Sequence, residues 1–308
     1  MSSAVHPIHP RDWALLIALS ILWGASFFCV GVALKELPPF TIVFLRAAIA
    51  ALVLLAIIWL RGIPMPRGVA GWLPFVGMAC LNYVVPFSCL ATGQTFISTG
   101  LASVLNATTP LFTVVVMAIA GEERLTAQRI VGVAVGVTGV AILRGVDLRE
   151  VETGIGVVLC LCAALSYGLS ALLARRRLTG FAPLTTATSQ MVVATLITGV
   201  VAALLDQPWR LPVPSAPVIL AVAALGTLST ALGYVLFFRI IARSGATNVM
   251  LVTLLIPVTA ILLGTVVLHE HIGVRELIGG SVIASALLII DGRAIAWLQA
   301  HRWRSEWL

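Results

Sequence analysis

The chain repeats itself once, and each copy holds an odd number of long apolar runs. Trp23-Gly24 is answered by Tyr167-Gly168, and Pro39 by Pro183 at the same separation. Pro110, Glu123 and Gly132 are answered by Pro257, Glu270 and Gly279, again at one constant spacing. Ten apolar runs lie across this plan, over 12–32, 40–60, 70–90, 96–118, 126–144, 153–173, 184–204, 216–237, 246–268 and 275–292. Each is close to the roughly 20 residues with which a helix crosses a bilayer. Because five is odd, a chain that enters its first copy from one side of a membrane enters its second copy from the other. The sequence therefore predicts an all-α polytopic membrane protein of ten transmembrane helices, arranged as two inverted five-helix repeats.

Composition closes the alternatives. With 60% hydrophobic and 10% charged residues, the chain has too few polar groups to cover a water-facing surface. The runs are apolar all round rather than alternating, which excludes a barrel. The first run is too long for a signal peptide and is followed by more spans, so it reads as a retained helix. The expected organisation is a cytoplasmic segment over 1–11, a first repeat over 12–144, an external loop over 145–152, a second repeat over 153–292 and an amphipathic cytoplasmic tail over 293–308. Cys29, Cys80, Cys89, Cys160 and Cys162 all fall within runs, where a free thiol behaves as a small apolar group. Their spacing suggests neither a disulfide framework nor a metal site.

Orientation follows from the cations. With the N-terminus inside, thirteen of the 19 Lys and Arg residues fall in inner segments, among them Arg61, Arg67, Arg124, Arg129 and Arg175 to Arg177. Five (Lys35, Arg144, Arg149, Arg210 and Arg275) fall outside, and Arg46 lies within the second span. Positive residues favour the cytoplasm, so both termini are expected there. The net charge of +7 is this topology signal plus attraction to anionic lipid, and needs no nucleic-acid partner.

Polar and aromatic residues at mid-depth point to a site. Seven of the eight tryptophans lie near helix ends or in the tail, where amphipathic rings gather. Trp23 stands ten residues beyond Trp13, roughly 15 Å along a helix and near the bilayer centre. Ser26 follows Trp23 by three residues, as Ser170 follows Tyr167 at the equivalent place in the sixth run, beside Ser166. Asn82, Tyr83, Pro86 and Phe87 share a face of the third run, and Thr227, Thr230 and Tyr234 a face of the eighth. The fourth offers Ser103, Asn106 and Pro110, and the ninth Asn248, Thr253 and Pro257. Scattered hydroxyls and amides commonly hold membrane helices together. Bulky rings such as Trp23, Tyr83 and Tyr167 are a costly choice for packing alone, and Pro110 and Pro257 either kink their helices or free carbonyls toward a cavity. The substrate-binding set expected from these patterns is Trp23, Ser26, Asn82, Tyr83, Phe87, Asn106, Ser166, Tyr167, Ser170 and Tyr234.

None of the twelve Asp and Glu residues falls near the centre of a run. A cavity without a carboxylate lacks a counter-charge for an organic cation and lacks a proton relay, which favours neutral or zwitterionic cargo. Arg46, about two turns into the second run, either snorkels to the outer interface or anchors a substrate carboxylate or a gating contact; its repeat partner is Gln190. Gly132, Gly136 and Gly139 on the fifth run and Gly279, Gly280, Ser281 and Ser285 on the tenth suit close packing, so these two helices read as scaffold. An intramembrane enzyme would need a nucleophile with a base, or a metal set, at mid-depth, and none of the five histidines lies near a span centre. No cofactor or metal is called for, and monomer and homodimer both stay open.

Ten spans in two repeats, Trp23-Gly24 early in the first, Arg46 in the second, and Pro110 followed by Gly121-Glu122-Glu123-Arg124-Leu125-Thr126 and Gly132 resemble the EamA-type branch of the drug/metabolite transporter superfamily. The second copy departs, with His269-Glu270-His271-Ile272-Gly273 in place of the Gly-Glu-Arg-Leu-Thr pattern. The resemblance implies a bacterial inner-membrane exporter of small-molecule metabolites, with a cavity lined mainly by spans 1, 3, 4, 6, 8 and 9. Within that branch the aromatic residues are similar to those of YddG-type amino-acid exporters. The expected activity is export of amino acids, including aromatic or large apolar ones, by alternating access; the alternative is export of drugs or nucleobase-like metabolites.

Overall fold

The computed structural model describes residues 10–144, 151–178, 180–237, 239–240, 243 and 252–291, and every regular element among them is helical. We number the helices α1 (Pro10–Ala33), α2 (Pro39–Arg61), α3 (Gly68–Gly93), α4 (Thr99–Ile119) and α5 (Ala127–Arg144) in the first repeat. The second holds α6 (Val151–Arg177), α7 (Pro183–Leu205), α8 (Ala216–Phe237), α9 (Val252–Val267) and α10 (Val274–Asp291). Each coincides with one predicted run. Seven of them, α1–α4 and α6–α8, are long and apolar enough to cross a bilayer, while α5 and α9 are shorter apolar helices. Residues 1–9, the linker 145–150, Asn248 and the tail from 292 onward lie outside the described residues.

Helices that are apolar all round must face hydrocarbon on one side and each other on the opposite side. Leu52, Leu60, Leu196, Leu204 and Leu220 are at least two-thirds exposed and present the lipid face. Inside, small residues let backbones approach: Ala47, Ala50, Ala79, Ala102, Ala163, Ala187 and Ala194 are fully buried. The aromatic-glycine dipeptides have the same explanation in both repeats. A Cβ at Gly24 would lie 2.5 Å from Thr259 Cβ of α9, and one at Gly168 would lie 3.2 Å from the backbone of Phe112 in α4. Each repeat's first helix thus packs on the fourth helix of the other repeat. On α5 and α10, Gly139 and Gly279 face one another, each presenting its carbonyl about 3 Å from where the other's Cβ would stand, which is the scaffold contact expected of them.

The third helix of each repeat departs from regular α geometry. Cys80–Val84 in α3 and Leu225–Leu232 in α8 are π-helical, at corresponding places. In α3 the cause is Pro86: it has no N–H, and its ring would clash with the carbonyl four residues back, which a widened turn moves away. In α8 the Thr230 hydroxyl donates to Leu225 O at 2.8 Å, capping a loosened carbonyl. The corresponding prolines of α4 and α9 act differently. Helix α4 breaks at Ala107 and Thr108, just before Pro110, whereas Pro257 sits within a continuous α9.

Acidic residues gather at the ends. On the side expected to face outward, each of three carboxylates receives N–H groups at a helix start in the opposite repeat, where negative charge is favoured. Asp206 accepts from Thr41 N at 2.6 Å, Glu270 from Thr99 N at 3.0 Å and Gly100 N at 3.3 Å, and Glu36 from Ser215 N at 2.6 Å. At the other end Glu122 pairs with Arg176 at 2.7 Å, and Glu123 with Arg129 at 2.6 Å and Arg175 at 3.2 Å. The Ser215 side-chain and backbone hydrogen bonds hold the Glu36 carboxyl below its ordinary range. The Arg176 hydrogen bond, then the charges of Arg176 and Arg175, do the same for Glu122.

Candidate functional site

At mid-depth, where the two repeats meet, the structure gathers two linked clusters. The first is aromatic. Tyr83 and Phe87 of α3 lie with ring centroids 4.5 Å apart, and Tyr167 of α6 meets Phe87 edge-on at 6.2 Å. Tyr83 is fully buried, and its hydroxyl donates to Val43 O of α2 at 3.2 Å. Over the outer face of Phe87 stands the guanidinium of Arg46, 4.1 Å from the ring centroid.

Arg46 does not snorkel. It is 4% exposed, its Nε donates to Thr230 Oγ1 in the π turn of α8 at 2.8 Å, and Tyr83, Tyr167 and Tyr234 all lie within electrostatic reach. The close approach of α8 that makes this possible depends on Gly226, where a Cβ would fall 2.5 Å from Ile49. Among the described residues no carboxylate comes within ion-pair distance of Arg46. Taking an ion out of water costs several kcal/mol. A cation-π contact returns about 2 kcal/mol when desolvated, so this charge is only partly compensated.

The second cluster is an amide and hydroxyl network spanning four helices. Asn82 Nδ2 donates to Gln190 Oε1 of α7 at 3.2 Å and approaches the Tyr234 hydroxyl of α8 at 3.5 Å. Its Oδ1 accepts from the Ser170 hydroxyl of α6 at 3.2 Å, and that hydroxyl also reaches Tyr167 O at 2.8 Å. Gln190 is 2% exposed. The cavity expected to be lined mainly by spans 1, 3, 4, 6, 8 and 9 does not include α2 and α7; Arg46, singled out in the sequence as a candidate anchor, and Gln190 bring both helices to these clusters. Their signal in the sequence was their shared position in the repeat.

The remaining expected residues are placed differently. Trp23 stands against Phe237, centroids 5.5 Å apart, and donates from Nε1 to Ser229 O in the π turn of α8 at 3.1 Å. Its ring contact is thus with α8, apart from the Tyr83–Phe87–Tyr167 contacts. The Ser26 hydroxyl turns back onto Trp23 O at 2.6 Å, and Ser166 of α6 donates to Leu81 O in the π turn of α3 at 2.7 Å. Asn106 ends the first segment of α4, and its Oδ1 is buried without a hydrogen-bond partner among the described residues. Such an acceptor is costly to bury unpaired.

The comparisons with known proteins agree with this architecture. An uncharacterized transporter of Archaeoglobus fulgidus is 24% identical over 91% of this chain and 98% of its own length. The uncharacterized transporter YvbV of Bacillus subtilis is 26% identical over 93% of each chain, and the uncharacterized inner membrane transporter YedA of Escherichia coli K12 is 26% identical over 89% of each. A solved crystal structure superposes with a TM-score of 0.65 at 19% identity, covering 91% of this chain and 97% of the other, a likeness of fold. Residues 13–145 and 154–291 each match the model of one family, one match per repeat, and the chain belongs to the EamA-like transporter family.

Proposed function

We propose that the chain exports small neutral or zwitterionic solutes, chiefly amino acids and among them aromatic or large apolar ones. The route is the space between the two repeats, opened alternately to either side by rocking of the halves. The observation that carries this reading is the mid-depth cluster itself. Rings of Tyr83, Phe87 and Tyr167 adjoin the uncharged polar groups of Asn82, Gln190, Ser170 and Tyr234, and no carboxylate among the described residues accompanies them. Aromatic faces suit apolar side chains, amides and hydroxyls suit the polar end of an amino acid, and the buried Arg46 disfavours cationic drugs. The similarity to the inner membrane transporter YedA supports a bacterial inner membrane, and the arginine distribution supports both termini in the cytoplasm.

The test is counterflow in proteoliposomes with labelled phenylalanine, leucine, alanine, uridine and ethidium. Amino-acid flux without dye movement is the expected result. Uridine flux alone would favour the nucleobase-type alternative, and ethidium flux would overturn the argument from missing carboxylates.

A further inference from the structure

We propose that Arg46 is the anchor for a carboxylate on the cargo, so that the transported class is defined by an acid group next to an apolar or aromatic body. Arg46 is 4% exposed and too deeply enclosed to be neutralised by lipid headgroups. Among the described residues its hydrogen bond is the one from Nε to Thr230, which leaves the outer pair of nitrogens, the fork that recognises carboxylates in a bidentate manner, without a protein acceptor. The ring of Phe87 holds the plane of the guanidinium from one side, and Tyr83 braces α2 one turn away through Val43 O. The group is thus positioned by three helices, α2, α3 and α8, and still lacks a counter-ion among the described residues. A purely structural arginine would be expected to carry a protein carboxylate, since leaving a buried charge unpaired is destabilising. No Asp or Glu among the described residues pairs with it, and none of the twelve falls near the centre of an apolar run. An arriving carboxylate supplies the missing charge, and the adjacent Phe87 and Tyr167 rings supply a surface for the rest of the molecule.

This inference rests on the reading that the space between the repeats is the cargo site. It is tested by thermal stabilisation of the purified, detergent-solubilised protein with four probes of one shape: phenylacetate, phenylalanine, phenylalaninamide and phenethylamine. Phenylacetate and phenylalanine should raise the melting temperature of the wild type, and phenethylamine should not. Arg46→Gln should weaken both acids by about tenfold or more, the loss of a charge-assisted hydrogen bond. Arg46→Lys, which keeps the charge and loses the fork, should fall between. Equal stabilisation of the wild type by phenethylamine or phenylalaninamide, unchanged phenylalanine affinity in Arg46→Gln, or no stabilisation by either acid would each overturn the proposal. Should Arg46→Gln fail to fold, the wild-type comparison of acid against amine and the Arg46→Lys variant decide the matter. Binding of phenylacetate that depends on Arg46, with neither binding nor counterflow of phenylalanine, would leave the anion anchor standing and remove the amino-acid reading.

Discussion

Trp23 separates a cargo wall from a structural strut, because its indole does two things that different substitutions remove. Trp23→Phe keeps a ring against Phe237 and deletes the donor to Ser229 O, a bond of 3.1 Å. Interhelical hydrogen bonds in membranes average about 0.6 kcal/mol and reach about 1.7, so unfolding free energy should drop within that range. Trp23→Ala also deletes the contact with Phe237 at 5.5 Å. Aromatic-to-alanine changes in cores cost about 3–5 kcal/mol, and since Trp23 is only partly buried about 3 kcal/mol is expected. Gly233→Ala approaches the same indole from the other side, since its Cβ would stand 2.7 Å from Nε1; it should reproduce the Trp23→Phe defect without altering residue 23. The assay pairs melting temperature with counterflow of phenylalanine and alanine. A stacking contact with cargo is worth about 0.5–1.5 kcal/mol, so Trp23→Ala should reduce phenylalanine flux about two- to tenfold more than alanine flux. If both fluxes fall equally as the melting temperature drops, Trp23 only braces α1 against α8, and its place in the site is refuted.

Gly279→Val should disrupt the α5–α10 contact, because even a Cβ would lie 2.6 Å from Leu143 and 2.9 Å from the Gly139 carbonyl. Overpacking of this kind costs about 1–3 kcal/mol, so melting should fall while flux per folded molecule and cargo preference stay unchanged. Glu36 and Glu122 have carboxyl groups held below their ordinary value of 4.5. Their stabilising effect is present above pH 4.5 and is lost as pH falls through the lowered values. A melting-temperature profile from pH 6 to pH 3 should therefore be flatter below 4.5 in Glu36→Gln and Glu122→Gln than in the wild type. In a background lacking the five native cysteines, Lys35→Cys should be labelled from outside intact cells and Arg177→Cys should not; the reverse pattern would invert the proposed topology.

The spans were legible because each apolar run is long, and the repeat was legible because Pro39 and Pro183, or Gly132 and Gly279, mark the same events in each copy. The π turns escaped notice for a different reason: helical periodicity is blind to one extra residue in a turn. Pro86 carries the signal for the first, through its conflict with the carbonyl of Asn82, although its spacing also fits a simple helix face. Nothing comparable marks Leu225–Leu232, where the loosened carbonyl is held by Thr230. Arg46 shows the limit of depth arguments. Seven residues in from Pro39 it lies about 10 Å below the end of α2, close enough to snorkel by distance alone. What holds it inside is Phe87 and Thr230, and only the folded structure shows that α3 and α8 bring them there.

The two halves share a scaffold and differ in the polar groups they hang on it. Leu22 and Ser166 occupy equivalent positions, and each is joined to the π turn of the other repeat. In one half the hydroxyl belongs to Ser229 of α8 and donates to Leu22 O at 2.9 Å; in the other it belongs to Ser166 of α6 and donates to Leu81 O at 2.7 Å. The link persists while donor and acceptor change sides, so comparing side chains position by position conceals it. The same exchange operates one helix further on. Arg46 of α2 donates into the π turn of α8, and Gln190, its counterpart in α7, accepts from Asn82 in the π turn of α3. Here the exchange also changes charge: one end of the pseudo-twofold carries a guanidinium and the other a neutral amide. Rocking of two equivalent halves needs only the shared scaffold. The proposed oriented binding of a zwitterion between them would need an asymmetry, and the pair Arg46 and Gln190 offers one.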